Sequence, residues 1–141
     1  MIELDEVDKR ILELLKQNSR LSFSEIARQF GFSDVAIRKR IEKLVERGVV
    51  KRFTCELDYA KLGKPVSAFI FIKTRADRTS EVLDALKEIP DIQEIYQVMG
   101  EYDIIARANV SSIEALKEMT EKRISNIHGV MEVKPNIIFS Q

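Results

Sequence analysis

The spacing of apolar residues changes near residue 50, and this change limits the chain to a fold with two different parts. Before that point apolar side chains recur every three or four positions, as Leu4, Val7, Ile11 and Leu14 do, which is typical of amphipathic helices. After it come short runs rich in branched and aromatic residues, such as 66–74, which are typical of strands. The sequence therefore predicts an α+β protein with a helical N-terminal module and a C-terminal sheet domain.

The helical part carries start and stop signals for three helices. Asp5 is placed to cap the first helix, and Ser22-Phe23-Ser24-Glu25 has the pattern of a capping box at the start of the second. Gly31 follows where a left-handed residue ends a helix, and Ser33 can cap the third helix two residues later. Two helices joined by a short turn with a glycine are typical of a helix-turn-helix, although a plain three-helix bundle has the same pattern.

The third predicted helix has two chemically different sides. The side opposite the core presents apolar and basic residues together in the first two turns, which a helix needs to read base edges in the major groove. Each basic residue can instead be an ordinary solvated charge. The helix is expected to end at Gly48 and to bury Ile37, Ile41, Leu44 and Val45.

The predicted DNA contacts form two groups. Arg40 lies near the core stripe, so it can instead pair with an acid inside the module. Base contacts are predicted for Val35 (thymine methyl), Arg38 and Lys39 (guanine O6 and N7), and Ser33 and Asp34 at the helix tip. Phosphate contacts are predicted for Ser22, Ser24, Arg40, Lys43, Arg47 and Arg52.

The pattern of the C-terminal part predicts the element order βαββαβ, which is typical of a ferredoxin-like sandwich. A strand at 49–57 and a hinge at 58–65 are expected to precede it. Pro135 suggests that the last strand lies at an edge or contains a bulge. Strands are predicted at 66–74, 92–99, 102–110 and 130–139, and helices at 79–89, capped by Thr79 or Ser80, and up to 127, capped by Ser111 or Ser112.

One face of the predicted sheet has no helices to cover it, yet it carries large apolar residues. In the strand 66–74, Phe69 and Phe71 point away from the side taken by Val66, Ala68, Ile70 and Ile72. Either Ile95 and Met99 or Tyr96 and Val98 add to the same face. An exposed apolar patch of this kind normally marks an interface. We therefore expect a homodimer, with packing of Phe69 and Phe71 under the N-terminal module as the alternative.

Charge and composition limit the kinds of function that the chain can have. The net charge is zero, but residues 1–52 hold 12 basic and 9 acidic residues, a net +3, and the remainder a net −3. No apolar run reaches the roughly 18 residues of a membrane span, so no membrane partner is expected. Because Cys55 is the only cysteine, a reducing cytoplasm is expected. Because His128 is the only histidine, no metal site, cofactor or catalysis is expected.

Several motifs together resemble the Lrp/AsnC (leucine-responsive, feast/famine) family of transcription regulators. Gly100-Glu101-Tyr102-Asp103 is similar to that family's G-x-Y-D turn between the middle strands. The resemblance covers essentially the whole chain. Its N-terminal part comprises Leu4-Asp5, Asp8, Ile11-Leu12, Arg20-Leu21-Ser22, Glu25-Ile26-Ala27, Ser33, Ile37, Arg40-Ile41, Leu44 and Gly48-Val49-Val50.

The resemblance implies more than the residues alone. It implies a helix-turn-helix domain at 1–50, a strand and hinge at 51–64, and a RAM domain, similar to ACT domains, at 65–141. Family members dimerise through the RAM sheet, often form octamers, and many bind an amino acid near the G-x-Y-D turn. The implied effector residues are Gly100, Tyr102 and Asp103, with Glu101 at the variable position and with Tyr96 and Val98 added from the preceding strand.

The sequence therefore predicts a regulator that binds double-stranded DNA at a pseudo-palindromic site under the control of an amino acid. A second reading is an architectural DNA-binding protein that responds to no effector, because the G-x-Y-D turn can be a tight hairpin that needs glycine and aspartate for geometry alone. A third is an enzyme similar to siroheme decarboxylases, which the lone His128 disfavours.

Overall fold

The computed structural model describes all 141 residues, which form two units, residues 1–57 and 58–141. The first unit contains α1 (Glu6–Gln17), α2 (Phe23–Phe30) and α3 (Asp34–Glu46). The apolar stripes of all three helices, built from residues at helical spacing, face one another, because burial there removes their area from water. Their core consists of Ile11, Leu15, Ile26, Ala27, Ile37, Ile41 and Leu44.

The predicted caps of the first three helices are confirmed. Asp5 accepts a hydrogen bond from the amide of Asp8, and Ser22 accepts one from the amide of Glu25. Both are reciprocal capping boxes, which satisfy amides that a helix start otherwise leaves without partners. Ser33 likewise caps α3, and Gly31 adopts φ 69°, the left-handed conformation that allows the chain to leave α2 and enter α3 within three residues.

Two expectations for the first unit are wrong. Val45 is 43% exposed rather than buried. The stretch 49–57 forms no strand. The amides of Val49 and Val50 both donate to the carbonyl of Leu44, at 2.9 and 3.1 Å, so this stretch begins by turning back onto the end of α3. A strand needs a neighbouring strand to pair with, and none lies beside these residues.

The second unit begins with a single 3₁₀ turn at Tyr59–Leu62, inside the predicted hinge. Its four strands form one antiparallel sheet in the order β2-β3-β1-β4. Together with the helices this is the predicted ferredoxin-like arrangement. The elements are β1 (Val66–Thr74), α4 (Thr79–Lys87), β2 (Ile92–Gln97), β3 (Ile104–Val110), α5 (Ile113–Glu118), a π-helical turn (Met119–Ile124) and β4 (Val130–Ile137).

The helices cover one face of this sheet, as predicted. Ala68, Ile70 and Ile72 of β1 are fully buried there, and Val82 and Leu86 of α4 pack against them. The alternate side chains of β1 point to the other face, where Phe69 is 42% exposed and Phe71 is half-buried. The period of two in a strand thus separates a buried face from an open one.

The start of α4 and the length of α5 differ from the prediction. Arg78, not Thr79 or Ser80, stands at the start of α4 without a side-chain cap. The Thr79 hydroxyl lies 2.6 Å from that of Thr74 and is therefore engaged with β1. Ser112 caps α5 as expected, but the helix widens to a π-helical turn after six residues.

The last strand is an edge strand, which confirms the interpretation of Pro135. It pairs with β1 alone, with Pro135 opposite Ile70. No helix in either unit combines the length and the apolar character needed to cross a bilayer.

Candidate functional site

The exposed side of α3 carries the residues predicted to contact bases. Val35 is 48% exposed although it is apolar, and the Arg38 side chain is 51% exposed. Arg38 lies 3.9 Å from Glu42, one helical turn on, which is a weak surface ion pair. Lys39 is exposed beside them. These side chains share one surface because residues three and four apart lie together on a helix.

The serine and aspartate residues around the turn already have intramolecular partners. The hydroxyls of Ser22 and Ser33 accept from the amides of Glu25 and Ala36, at 3.1 and 3.2 Å. A hydroxyl that accepts in this way keeps its own proton for a phosphate oxygen. Ser24 donates its proton to the carboxylate of Asp34 at 2.5 Å. Of the three serines, Ser24 therefore has its donor engaged.

The predicted phosphate contacts do not all have the same surroundings. Lys43, Arg47 and Arg52 are exposed. Arg40 is different, because its guanidinium donates to Asp5 at 2.7 Å and to Asp8 at 2.9 Å. Pairing with internal acids was the alternative interpretation of this residue, and the structure agrees with it.

Charge and hydrogen bonding at this junction reinforce each other. The hydrogen bond from Arg40 is the main cause that holds the pKa of the Asp5 carboxyl below its ordinary value. The same bond raises the pKa of Arg40 above its ordinary value, with the bond to Asp8 adding to the effect. The ionised pair is therefore favoured on both sides.

On the open face of the sheet, side chains of neighbouring strands form an apolar strip that contains Phe71, Ile105 and Tyr96. Register places Phe71 of β1 opposite Ile105 of β3, and Ile105 opposite Tyr96 of β2. Of the two alternatives for β2, the structure supports the one that includes Tyr96, because Ile95 packs against the buried core instead. Tyr102 also contacts this strip, with its ring 5.5 Å from that of Phe71.

The turn between β2 and β3 is held by main-chain and carboxylate bonds. Asp103 accepts from the amide of Thr74 at 2.8 Å, and its own amide donates to Ile72 at 3.0 Å. The amide of Val98 donates to the carbonyl of Asp103 at 2.9 Å. Asp103 thus ties the turn to the end of β1. Gly100 has no left-handed φ, and an added Cβ would meet nothing within 4 Å.

A cleft of about 410 Å³ opens beside this turn, on the open face of the sheet. Four of the six predicted effector residues line it, namely Val98, Gly100, Glu101 and Tyr102. Tyr96 and Asp103 do not. Four further residues line the cleft that were not predicted from the sequence, Met99, Ile105, Lys134 and Asn136, and Phe71, which also lines it, was predicted only at an interface.

Three of the four missed residues, Ile105, Lys134 and Asn136, belong to strands that are far apart in sequence. Lys134 of β4 and Ile105 of β3 both lie opposite Phe71 of β1. The pairing register that brings them together depends on the whole sheet, so the sequence carried no local signal for it.

No three His, Cys, Asp or Glu side chains are grouped so that they could bind a metal ion. His128 is exposed beside Gly129, and Cys55 is exposed as a free thiol.

Comparison with known proteins agrees with this geometry in both units. Residues 4–45 match the AsnC-type helix-turn-helix domain, and residues 67–141 match the Lrp/AsnC ligand binding domain. The HTH-type transcriptional regulator LrpA of Pyrococcus horikoshii is 35% identical over 138 residues, which cover 98% of each chain. The regulator FL11 of the same organism is 36% identical over 129 residues, which cover 92% of this chain and 85% of the relative.

Solved structures give the same result for the fold. E. coli AsnC superimposes with a TM-score of 0.89 at 28% identity, covering 99% of this chain and 95% of that one. B. subtilis LrpC gives a TM-score of 0.90 at 28% identity, covering 99% and 97%. Since both family models match this chain and its relatives are named transcriptional regulators, the chain belongs to the Lrp/AsnC family of DNA-binding transcriptional regulators and is not an enzyme.

Proposed function

We propose that this regulator reads a pseudo-palindromic DNA site with α3 of two copies of the chain, under the control of an amino acid. The observation that carries the DNA part is the surface of α3, where the exposed Val35 lies beside the exposed Arg38 and Lys39. An apolar contact to a thymine methyl and donors to guanine O6 and N7 are what major-groove reading requires. A DNA-binding regulator acts where the chromosome lies, and we infer a cytoplasmic location here.

Phosphate contacts are assigned to residues whose donors are available. Ser22 and Ser33 each keep a hydroxyl proton, and Lys43, Arg47 and Arg52 are exposed on and after α3. Helix starts favour phosphate in addition, because their amides and dipole are positive. Asp34 lies at the tip of α3, where its carboxylate would accept from a cytosine amine.

Dimerisation through the open sheet face is the second part of the proposal. Phe69 and Phe71 remain accessible on a face that no helix covers, and a second copy would remove this apolar area from water. A +3 module has little electrostatic attraction for DNA by itself, so useful affinity requires two modules that bind together. Half-sites are then expected about one or more turns of ~10 bp apart.

The cleft beside Gly100 is the proposed effector site. Its walls are largely apolar, with Phe71, Met99 and Ile105 among them, while Lys134 and Glu101 bring opposite charges to its lining. Lysine can pair with a carboxylate and glutamate with an ammonium group, which matches the two charged groups of a free amino acid. Because the cleft opens on the face proposed for dimerisation, a bound effector would alter assembly. Octamers of four dimers follow from the family resemblance.

An effector-independent architectural role is the alternative, and one contact favours it. The carboxylate of Asp103 accepts a hydrogen bond from the amide of Thr74. This contact is expected of a residue that is needed only for the geometry of the turn. The two roles differ in whether the chain discriminates among sequences and among amino acids.

Selection of bound DNA from a random pool, repeated with each of the twenty amino acids, tests the proposal. A pseudo-palindromic consensus whose enrichment changes with one or a few amino acids is the expected result. A consensus that no amino acid affects would leave sequence reading in place and remove effector control. Uniform retention of all sequences would favour the architectural role.

A further inference from the structure

Arg40 lies where the start of α1, the turn before α3 and α3 itself meet. Its Nη1 donates to Asp5 Oδ2 at 2.7 Å and to Asp8 Oδ1 at 2.9 Å. Its side chain is 31% exposed, against 51% for Arg38 on the same helix. These partners lie more than 30 positions away in sequence, so the contact connects separate elements of the unit.

The two carboxylates that Arg40 contacts are the capping box of α1. Asp5 Oδ1 accepts from the amide of Asp8 at 2.8 Å, and Asp8 Oδ2 accepts from the amide of Asp5 at 3.4 Å. Each carboxylate therefore gives one oxygen to the helix start and the other to Arg40. Without the guanidinium, two like charges would remain side by side, which is unfavourable.

The third partner is the turn of the helix-turn-helix. The guanidinium carbon lies 5.6 Å from the ring centroid of Phe32, within the range of a cation–π contact. Phe32 in turn stacks on Phe30 of α2, with ring centroids 6.0 Å apart. One side chain of α3 thus contacts the beginning of α1 and the turn that leads into α3.

We propose that Arg40 is a positioning residue that orients the reading helix α3, and that it does not bind a DNA phosphate. This inference rests on the proposed reading of DNA by α3. Two carboxylates already neutralise the guanidinium, so a phosphate would gain little attraction there and would lie near the acids. The direction of α3 decides which base edges Val35, Arg38 and Lys39 reach, and small errors in it reduce specific contacts first.

The salt dependence of DNA binding distinguishes the two roles of Arg40. In Arg40→Gln the full-length chain should lose about tenfold in affinity for its selected site, with the slope of log affinity against log salt unchanged. Affinity for unrelated DNA should stay nearly the same. The matched control is Arg47→Gln, the same change at an exposed arginine, which should lower the slope by about 0.9. A comparable loss of slope in Arg40→Gln would overturn the proposal.

Removal of an acid gives opposite signs for the two roles. Asp8→Asn keeps an oxygen for the cap but frees the guanidinium from one carboxylate. If the contact between Asp8 and Arg40 positions α3, its loss lowers the ratio of specific to non-specific affinity. Adding Arg40→Gln then causes little further loss. If Arg40 were a phosphate ligand, Asp8→Asn would raise affinity for the site, and that result would also overturn the proposal.

Arg40→Lys separates charge from geometry and guards against a folding artefact. Lysine keeps the positive charge but lacks the planar guanidinium, which reaches both acids through Nη1 while it lies over Phe32. Its specific affinity should fall as in Arg40→Gln, whereas full affinity in a folded Arg40→Lys protein would contradict a positioning role. Circular dichroism at the assay temperature confirms that each variant is folded. A wild-type chain that selects no sequence would instead refute the proposed function.

Discussion

At the scale of residues, the same side chains serve the fold and the DNA surface. Ser22 and Ser33 accept from amides at the starts of α2 and α3, and each hydroxyl still has a proton to donate to a phosphate. Ser24 donates its proton to Asp34, and Arg40 donates from Nη1 to both Asp5 and Asp8, whose carboxylates neutralise its charge. Whether a side chain can bind DNA therefore depends on the hydrogen bonds and ion pairs it already makes within the chain, and not on its residue type alone.

The division between base and phosphate contacts is testable with two single variants. Arg38→Ala should cost about 1–3 kcal/mol at one base position and relax the sequence preference there. Lys43→Ala should weaken binding to all sequences alike and reduce the salt slope by about 0.9. Fluorescence anisotropy titrations against a panel of single-base variants of the selected site measure both effects. If the two variants lose affinity in the same pattern across the panel, this division of roles is incorrect.

At the scale of elements, the short-range signals for the starts of the first three helices and for the end of α2 were reliable. The capping boxes at Asp5 and Ser22 and the left-handed Gly31 are such signals. The stretch 49–57 has strand-like composition but no strand to pair with, so it forms none. The Thr79 hydroxyl was expected at a helix cap, yet Thr74, five residues away on β1, engages it.

Gly129, which precedes β4, is predicted to be intolerant of a side chain. It has φ 100°, and an added Cβ would collide with the Cβ of Arg78 and crowd the Cγ of the same side chain. Gly129→Ala should therefore lower the free energy of unfolding by about 2 kcal/mol, measured by urea denaturation followed by circular dichroism. Gly100→Ala is the matched control, because Gly100 has neither a left-handed φ nor a neighbour within 4 Å. Its stability should change by less than about 0.5 kcal/mol, and equal losses in both variants would contradict this account.

At the scale of the whole molecule, the zero net charge conceals a division of tasks. The +3 of residues 1–52 lies in the unit that carries the DNA-reading helix, and the −3 lies mainly in the unit with the open sheet face. A net charge of three attracts DNA only weakly, so the second unit contributes to DNA binding by bringing copies together.

A charge on the open sheet face should therefore impair both assembly and DNA binding. Phe69→Asp would place an unpaired carboxylate in the proposed dimer interface, where its desolvation is costly. The dimer dissociation constant should rise about 100-fold or more, measured by sedimentation velocity, and affinity for a two-half-site DNA should fall with it. Ile113→Asp, at an equally exposed apolar residue on α5, should leave the dimer intact. A Phe69→Asp protein that still sediments as a dimer would exclude this face as the interface.

The sequence by itself determined the first three helices with their caps, the order of the four sheet strands along the chain, the family, and four cleft residues of the turn, Val98, Gly100, Glu101 and Tyr102. These depend on periodicity and on contacts between near neighbours, which a single stretch of chain already contains. Only the tertiary structure decided that Arg40 meets Asp5 and Asp8, that 49–57 is not a strand, and that Lys134 and Ile105 line the cleft beside Phe71. Those outcomes depend on pairing between distant segments, and the free energy of such a pairing is settled by the whole packed unit, because no residue pattern within one segment records its partner.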